Sequence, residues 1–524
     1  KAWEQAFNDP EQVGVALSDS ISMGDWRLTF LLRDRVRSLT LADWQRVATE
    51  RLLPSNRTLG TFIPTSQAKR APVPAAVDVA QQMQSFKPQA ATAQAESFDV
   101  SPANIDRRTQ RGRVGGLQFA LLSKSTRGQM VSATLRLRIG ELKSLQGEAQ
   151  VGAFWAAMVD KGGAGLSRQQ IQDRLDALRT ELSVGYSRGV VTVGLQSRRE
   201  HLPAAVELVA RLLREPSFDA GVLAELQRQS LSGIEQARQE PGDIVARALG
   251  QHGNPHAKGD PRAVPGFEEE AAAVKAVTLE RLKRFHERLL GAGTAEFAAV
   301  GDFEVKALQQ VLERTLGSWS SPLAYQRIEE PLWAGPPSRL VFKTPDKQNA
   351  VLQIRQPLAL SDTHADVPAL MVANMMLGGG GSSRLWIRLR EKGGLSYDVR
   401  SWIDWNPREP HSVWNASAIF APSNLKAAED ALGDEIAKAL AQGFTEEELR
   451  DAKAGLLNFR RLSRAQDGSL AGRLATDLNL GRTMAWSAEL DRAIGLVTLQ
   501  QANAALRRFL KPSAFVTGVG GDFK

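Results

Sequence analysis

Thr278-Leu279, an amphipathic segment running to Leu290-Gly291, and the β-rich run Phe297-Ala298-Ala299-Val300-Gly301-Asp302-Phe303 form a unit that this chain repeats. A second copy runs from Thr498-Leu499 through Leu510-Lys511-Pro512 to Phe515-Val516-Thr517-Gly518-Val519. A third runs from Thr40-Leu41 through Leu53-Pro54-Ser55 to Thr58-Leu59-Gly60-Thr61-Phe62-Ile63. In each, the threonine reads as the N-cap of a helix and the Gly, Pro or Ser residues end it. Copies spaced by roughly 220–240 residues lie far outside the ~20–50-residue period of a solenoid, so they predict repeated domains.

Outward from these copies, the stretch Pro64 to Pro102 shifts to Ala, Gln, Pro and Ser without apolar periodicity, which reads as a linker. Leu117–Leu122 and Val131–Ile139 alternate as strands, with helical patterns from about Gln150 and Ser167. The order recurs after Arg339, with strands near Leu340–Phe342 and Ala350–Gln356 and a helix from about Ala365 to Leu377. Strands followed by helices, twice over, predict α+β domains in tandem rather than a doubly wound parallel sheet.

The 524 residues exceed what one core usually serves, and 43% apolar with 24% charged residues describes a globular chain. Absence of cysteine removes disulfides, thiolate metal sites and a cysteine nucleophile. The net charge of +8 is spread among interleaved acids and bases without a basic aromatic stripe, so no nucleic-acid partner is expected. The longest apolar runs, such as Ala369–Leu377, fall short of the ~18–20 residues of a membrane span. A start at Lys1 without initiator Met or signal pattern reads as an internal start, with residues 1–64 the tail of a preceding domain.

The most distinctive block is Gly378-Gly379-Gly380-Gly381-Ser382-Ser383-Arg384-Leu385, then Leu389-Arg390-Glu391-Lys392-Gly393-Gly394 and Leu395-Ser396-Tyr397-Asp398-Val399. It reads as a glycine loop, a serine-capped short helix, a glycine break and a strand opening at Tyr397. The loop lacks the Gly-Lys-Ser/Thr ending of a phosphate-binding loop.

This block resembles the C-terminal, non-zinc half of the insulinase/pitrilysin zinc metallopeptidases (inverzincins). The resemblance extends to Asp9-Pro10-Glu11-Gln12-Val13-Gly14, Gly24-Asp25-Trp26-Arg27, Pro54-Ser55-Asn56-Arg57-Thr58 and Val300-Gly301-Asp302-Phe303. It implies domains that are each an antiparallel sheet backed by helices, together forming half of a clamshell. On that basis residues 1–64 are the remnant of a zinc-bearing half and 65–101 a linker. Residues 102–324 form a degenerate peptidase-like domain, and 325–524 a domain with the glycine loop. It also implies that Arg390 and Tyr397 act as catalytic donors, and that Gly379, Gly380, Gly381, Ser382 and Ser383 line the substrate. A rigid guanidinium fork and a phenol can hold a substrate carbonyl and support a developing oxyanion. The bland alternative places Arg390 in a surface ion pair and Tyr397 in a core.

The family's active half carries an inverted His-x-x-Glu-His before a Lys-Gly step, with a further Glu about 76 residues on. Anchored on Lys161-Gly162, those positions hold Ala153, Ala156 and Ala157, and the distant one falls near Gly233, two residues from Glu235. Methyl groups offer zinc no lone pair. His252 and His256 have helical ligand spacing but enclose Gly253 and Pro255, which indicates a loop; His201, His286, His364 and His411 stand alone. No metal is therefore expected on this chain.

The resemblance thus implies the substrate-holding part of a zinc endopeptidase that is inactive alone. Its expected partners are a zinc-bearing N-terminal half, joined or cleaved, and a peptide substrate. A periplasmic or secreted location is implied, with a cytoplasmic one as alternative. The rival reading is a non-catalytic scaffold resembling processing-peptidase or respiratory-complex core subunits.

Overall fold

The computed structural model describes residues 10–61, 79–84, 86 and 95–523. Most of the expected linker, and Phe62-Ile63 of the repeat copy that starts at Thr40, lie outside the described residues. The chain divides into a small unit (Lys1–Glu96 with Thr126–Met130) and a large one (Ser97–Ser125 with Val131–Lys524).

In the small unit, helices Pro10–Ser22, Leu28–Ser38 and Leu41–Arg51 are followed by a short helix, Val79–Met83, within the stretch that reads as linker. Thr40 caps the third, its hydroxyl accepting the Asp43 N–H at 3.2 Å while the Asp43 carboxylate accepts the Thr40 N–H. Large apolar side chains stay in solvent: Leu41 is 80% and Trp44 66% exposed.

The large unit is built twice on one plan. Its first sheet contains β1 (Thr109–Val114), β2 (Leu117–Ser123), β3 (Met130–Arg138), β4 (Glu181–Ser187), β5 (Val190–Arg198) and β6 (Ala295–Gly301), in the order β1-β2-β6-β3-β5-β4. Its second contains β7 (Ser338–Lys343), β8 (Ala350–Leu358), β9 (Ser396–Asp404), β10 (Ser412–Phe420) and β11 (Val516–Gly521), in the order β9-β10-β8-β11-β7. Read from the other edge, the second order matches the first with β1 removed. The last strand of each sheet in chain order belongs to a repeat copy and lies inside the sheet: β6 pairs parallel with β2 and antiparallel with β3, and β11 does the same with β7 and β8. The expected antiparallel sheets therefore each contain one parallel pair, because the last strand returns over a run of helices to lie beside the first. Helices Leu279–Leu289 and Leu499–Phe509 lead into these strands, and Thr278 and Thr498 cap them by accepting the Arg281 and Gln501 N–H groups, each at 3.2 Å.

Strand alternation then assigns two faces to each sheet. Ala295, Phe297 and Ala299 point into one apolar core, and Leu352, Ile354 and Val519 into the other. The opposite faces are covered by exchange. Helix Asp467–Leu480 of the second half lays Leu470, Ala471 and Leu474 on Ala120, Leu122, Ala298 and Val300 of the first sheet. Helix Pro241–Gln251 of the first half lays Val245 and Leu249 against Val516, Leu340 and Phe342 of the second. Glycines on β11 permit that approach: a Cβ at Gly518 would lie 2.6 Å from Val245 Cγ1. Polar contacts fix the junction. Buried Glu296, which accepts from Arg138 Nε at 2.8 Å, also accepts from Asn479 Nδ2 of the second half at 3.0 Å, and Lys124 pairs with Asp467 at 2.6 Å.

Candidate functional site

Helix Val367–Gly378 ends in the glycine loop. Gly378 must be glycine, since a Cβ there would lie 2.5 Å from Ser401 Oγ. The helix is locked to the sheet by Asn374. Its amide donates to the Ser401 carbonyl at 3.1 Å, and its oxygen accepts from Ser401 Oγ at 2.8 Å and Trp414 Nε1 at 2.9 Å. A satisfied, fully buried network of this kind holds its strand in one place.

Beyond the loop, Ser383 occupies the N-cap of helix Arg384–Trp386 but makes no capping bond. It is 1% exposed, so of the five loop residues expected to line a substrate it is the one withdrawn from solvent; Gly379, Gly381 and Ser382 are exposed and Gly380 half-buried. Arg384 is structural. Its guanidinium grips Glu448 at 2.6 and 2.9 Å, donates to the Gly443 carbonyl at 2.8 Å and stacks over Phe444. Glu448 in turn accepts the Thr445 N–H at 2.7 Å as the capping box of helix Glu446–Ala465. Burial alone would raise the Glu448 carboxyl, but Arg384 and Thr445 outweigh it and hold it below the ordinary glutamate range.

The short helix does not end at Arg390. It widens into a π turn, Ile387–Lys392, with Arg390 inside it. The chain reverses through Gly393 and Gly394, the latter at φ +57°, where a side chain would be strained. It enters β9 through a bulge: Ser396 opposes Phe420 and Asp398 opposes Ile419, leaving Tyr397 as the extra residue. Ser396 Oγ pins the bulge by reaching the Asp398 and Ile419 carbonyls at 2.7 and 2.8 Å. The Tyr397 carbonyl, freed from the ladder, accepts from Arg390 Nη1. The Arg390 guanidinium lies 4.4 Å from the Trp386 ring centroid and 5.2 Å from that of Tyr397. Tyr397 is 75% exposed. Arg390 makes no ion pair among the described residues and Tyr397 fills no core, so neither part of the bland alternative describes this geometry. Trp386 escaped the sequence reading; its i, i+4 spacing to Arg390 was the available signal.

The zinc-equivalent positions do not fit a metal. Ala153, Ala156 and Ala157 lie on helix Ala149–Met158, whose Trp155 stacks on His286 at 6.1 Å. Gly233 sits on helix Ala220–Ala237, and nearby Glu235 is exposed, 3.6 Å from Arg238. Methyls and a glycine give zinc no donors. Among the described residues no three His, Asp or Glu side chains converge on one point.

Residues 276–456 match the family model described as the peptidase M16 inactive domain. Over this stretch the chain is similar to M16 peptidases. The match covers the repeat copy from Thr278 to Phe303, the glycine loop and the Arg390/Tyr397 turn. Among similar proteins, the chain is 24% identical over 372 residues to the non-peptidase homolog YmxG of Helicobacter pylori, spanning 69% of this chain and 82% of that one. An uncharacterized zinc protease of Mycobacterium bovis is 26% identical over 387 residues, spanning 72% and 86%. The crystal structure of a peptidase M16 inactive domain from Pseudomonas fluorescens superimposes with a TM-score of 0.69 at 24% identity, covering 79% of this chain and 98% of that one. The periplasmic protease PqqL of Escherichia coli superimposes at 0.64 and 17% identity over 93% of this chain, which spans about half (51%) of that protein. At these identities the structural likeness speaks for the fold. No helix among the described residues is long and apolar enough to cross a membrane.

Proposed function

We propose that this chain is the substrate-holding part of a two-part zinc endopeptidase. In this reading it offers Tyr397 and Arg390 to peptides confined with a second, zinc-bearing half, and hydrolyses none alone. The carrying observation is the Arg390–Tyr397 clasp: a bulge exposes the phenol while the guanidinium, braced by Trp386, fixes it. The Tyr397 O–H would donate to the carbonyl oxygen of the scissile bond as negative charge develops there, and Arg390 would keep the donor aimed and add positive potential. Gly379–Ser382 would form the rim. The metal and the general base would both belong to the other half.

The residue limits follow the same reading: 1–64 as the remnant of the zinc-bearing half, 65–101 as the connection, and 102–324 and 325–524 as the two substrate-side domains. Exposed Leu41 and Trp44 support a small unit whose apolar surface is completed by that half. A periplasmic or secreted location is part of this proposal, supported by the likeness to PqqL.

The second reading, a non-catalytic scaffold, draws on the alanines at 153, 156 and 157 and on a relative named as a non-peptidase homolog. Mixing this chain with an M16 half that carries the intact inverted motif separates the two. Peptide hydrolysis that needs both halves and is abolished by a chelator supports the enzyme part. A stable complex without hydrolysis supports the scaffold.

A further inference from the structure

The large unit contains a cleft of about 330 Å³ where its two halves meet. That volume falls within the ~300–1,000 Å³ of small-molecule sites. Its walls come from both halves and from the segment joining them: Arg188 from the β4–β5 turn, Trp333 from the connection, Arg355 from β8, and Asp404, Trp405 and His411 around the β9–β10 turn.

Charge in this cleft is unevenly matched. Arg188 is held by Glu330 at 2.5 Å, and Asp404 accepts from Asn415 Nδ2 at 2.9 Å. Arg262 is chelated by Asp260 at 2.8 and 2.9 Å. Arg355 forms no ion pair among the described residues. Its one protein bond is a long 3.5 Å contact to the Leu249 carbonyl at the end of helix Pro241–Gln251, and its Nε is buried with no acceptor. A buried guanidinium N–H left without an acceptor costs free energy that a bound anion would recover. The Trp333 ring lies over the same guanidinium, 5.1 Å to the centroid, and His411 stands edge-on to Trp333 at 5.6 Å. Both His411 ring nitrogens are buried without a hydrogen bond of good geometry, beside the Glu330 backbone.

A second feature is independent of charge. Arg188 sits at φ 47° and Gly189 at φ 79°, the two central positions of a two-residue hairpin turn. Asn or Gly favours the first of these positions and arginine does not, so the turn holds a long cation in a disfavoured conformation at the cleft wall.

We propose that this cleft binds a small carboxylate bearing a flat apolar group, with the carboxylate accepting from Arg355 and the flat group lying among Trp333, Trp405 and His411. Carboxylate rather than phosphate is favoured because Asp404 and Glu330 line the same cleft and would repel a dianion, while a planar monoanion matches the fork of one guanidinium. The ligand would lie where walls from both halves meet. The proposal is independent of the peptidase reading.

The test is calorimetric titration of the full chain with hippurate, with benzamide and with inorganic phosphate, beside melting curves. Saturable hippurate binding that raises the melting temperature, with benzamide and phosphate at least about tenfold weaker, is expected from a charge-assisted site. Arg355→Gln should weaken hippurate about tenfold or more, and Trp333→Ala should weaken it while leaving the melting temperature of the free chain near wild type. No saturable hippurate binding to the wild-type chain overturns the proposal without recourse to any variant. Phosphate binding as tightly as hippurate, or undiminished hippurate binding by folded Arg355→Gln, also overturns it.

Discussion

The guanidinium of Arg390 donates to the backbone carbonyl of Tyr397 and stacks against its ring, so a residue in a π turn and a residue in a β-bulge act as one rigid pair. A lysine keeps the charge but offers neither a planar face for Trp386 nor a fork. Arg390→Lys in the reassembled enzyme is therefore expected to lose turnover nearly as fully as Arg390→Ala, with melting temperatures within a few degrees of wild type. Steady-state kinetics and melting curves check it; full activity in Arg390→Lys would show that charge alone matters.

Arg384 and Glu448 anchor the glycine loop to helix Glu446–Ala465. Glu448→Gln should cost about 1.5–3 kcal/mol near neutral pH, the range for hydrogen bonds to charged groups. Because the folded carboxyl titrates below its unfolded value, near 4.3, this contribution is complete above that value and is lost as pH falls through the folded one. Urea unfolding of wild type and variant should thus diverge near pH 7 and converge once the pH falls below the titration of the folded carboxyl. A pH-independent difference would contradict the assignment.

Gly518 lets helix Pro241–Gln251 lie against β11. Gly518→Val forces atoms into the position of Val245 and should destabilise by about 1–3 kcal/mol, as overpacking does. Denaturant titration measures it. Unchanged stability would mean the helix is free to shift, and the two halves would not be locked by this contact.

Metal analysis of the chelator-washed chain is expected to find no stoichiometric zinc, since Ala153, Ala156, Ala157 and Gly233 provide no donors. One tightly held zinc per chain would overturn the assignment of those positions.

The duplicated plan was legible because the Thr-capped helix and its following strand are local patterns, read from spacing alone. The parallel pair within each sheet was not, because it depends on where a strand lands after about a hundred residues of helices. Exchange of Pro241–Gln251 and Asp467–Leu480 between sheets was equally hidden, because a helix does not say which sheet it covers. At the site, Arg390 and Tyr397 came from a motif. Their mutual clasp needed the extra residue in β9 and the widened turn, neither of which leaves a periodic trace. Ser383 read as a helix cap, yet the tight turn from Gly380 buries it instead.

The measurement that bears most directly on the substrate-holding role is the turnover of a peptide by the reassembled enzyme carrying Tyr397→Phe, paired with its melting curve. Tyr397 is 75% exposed, so losing its hydroxyl should leave the fold intact. If that hydroxyl supports the oxyanion, turnover should fall about a hundredfold to a thousandfold, or roughly 2.7–4 kcal/mol. Turnover near wild type, with an unchanged melting temperature, would contradict the catalytic role of Tyr397.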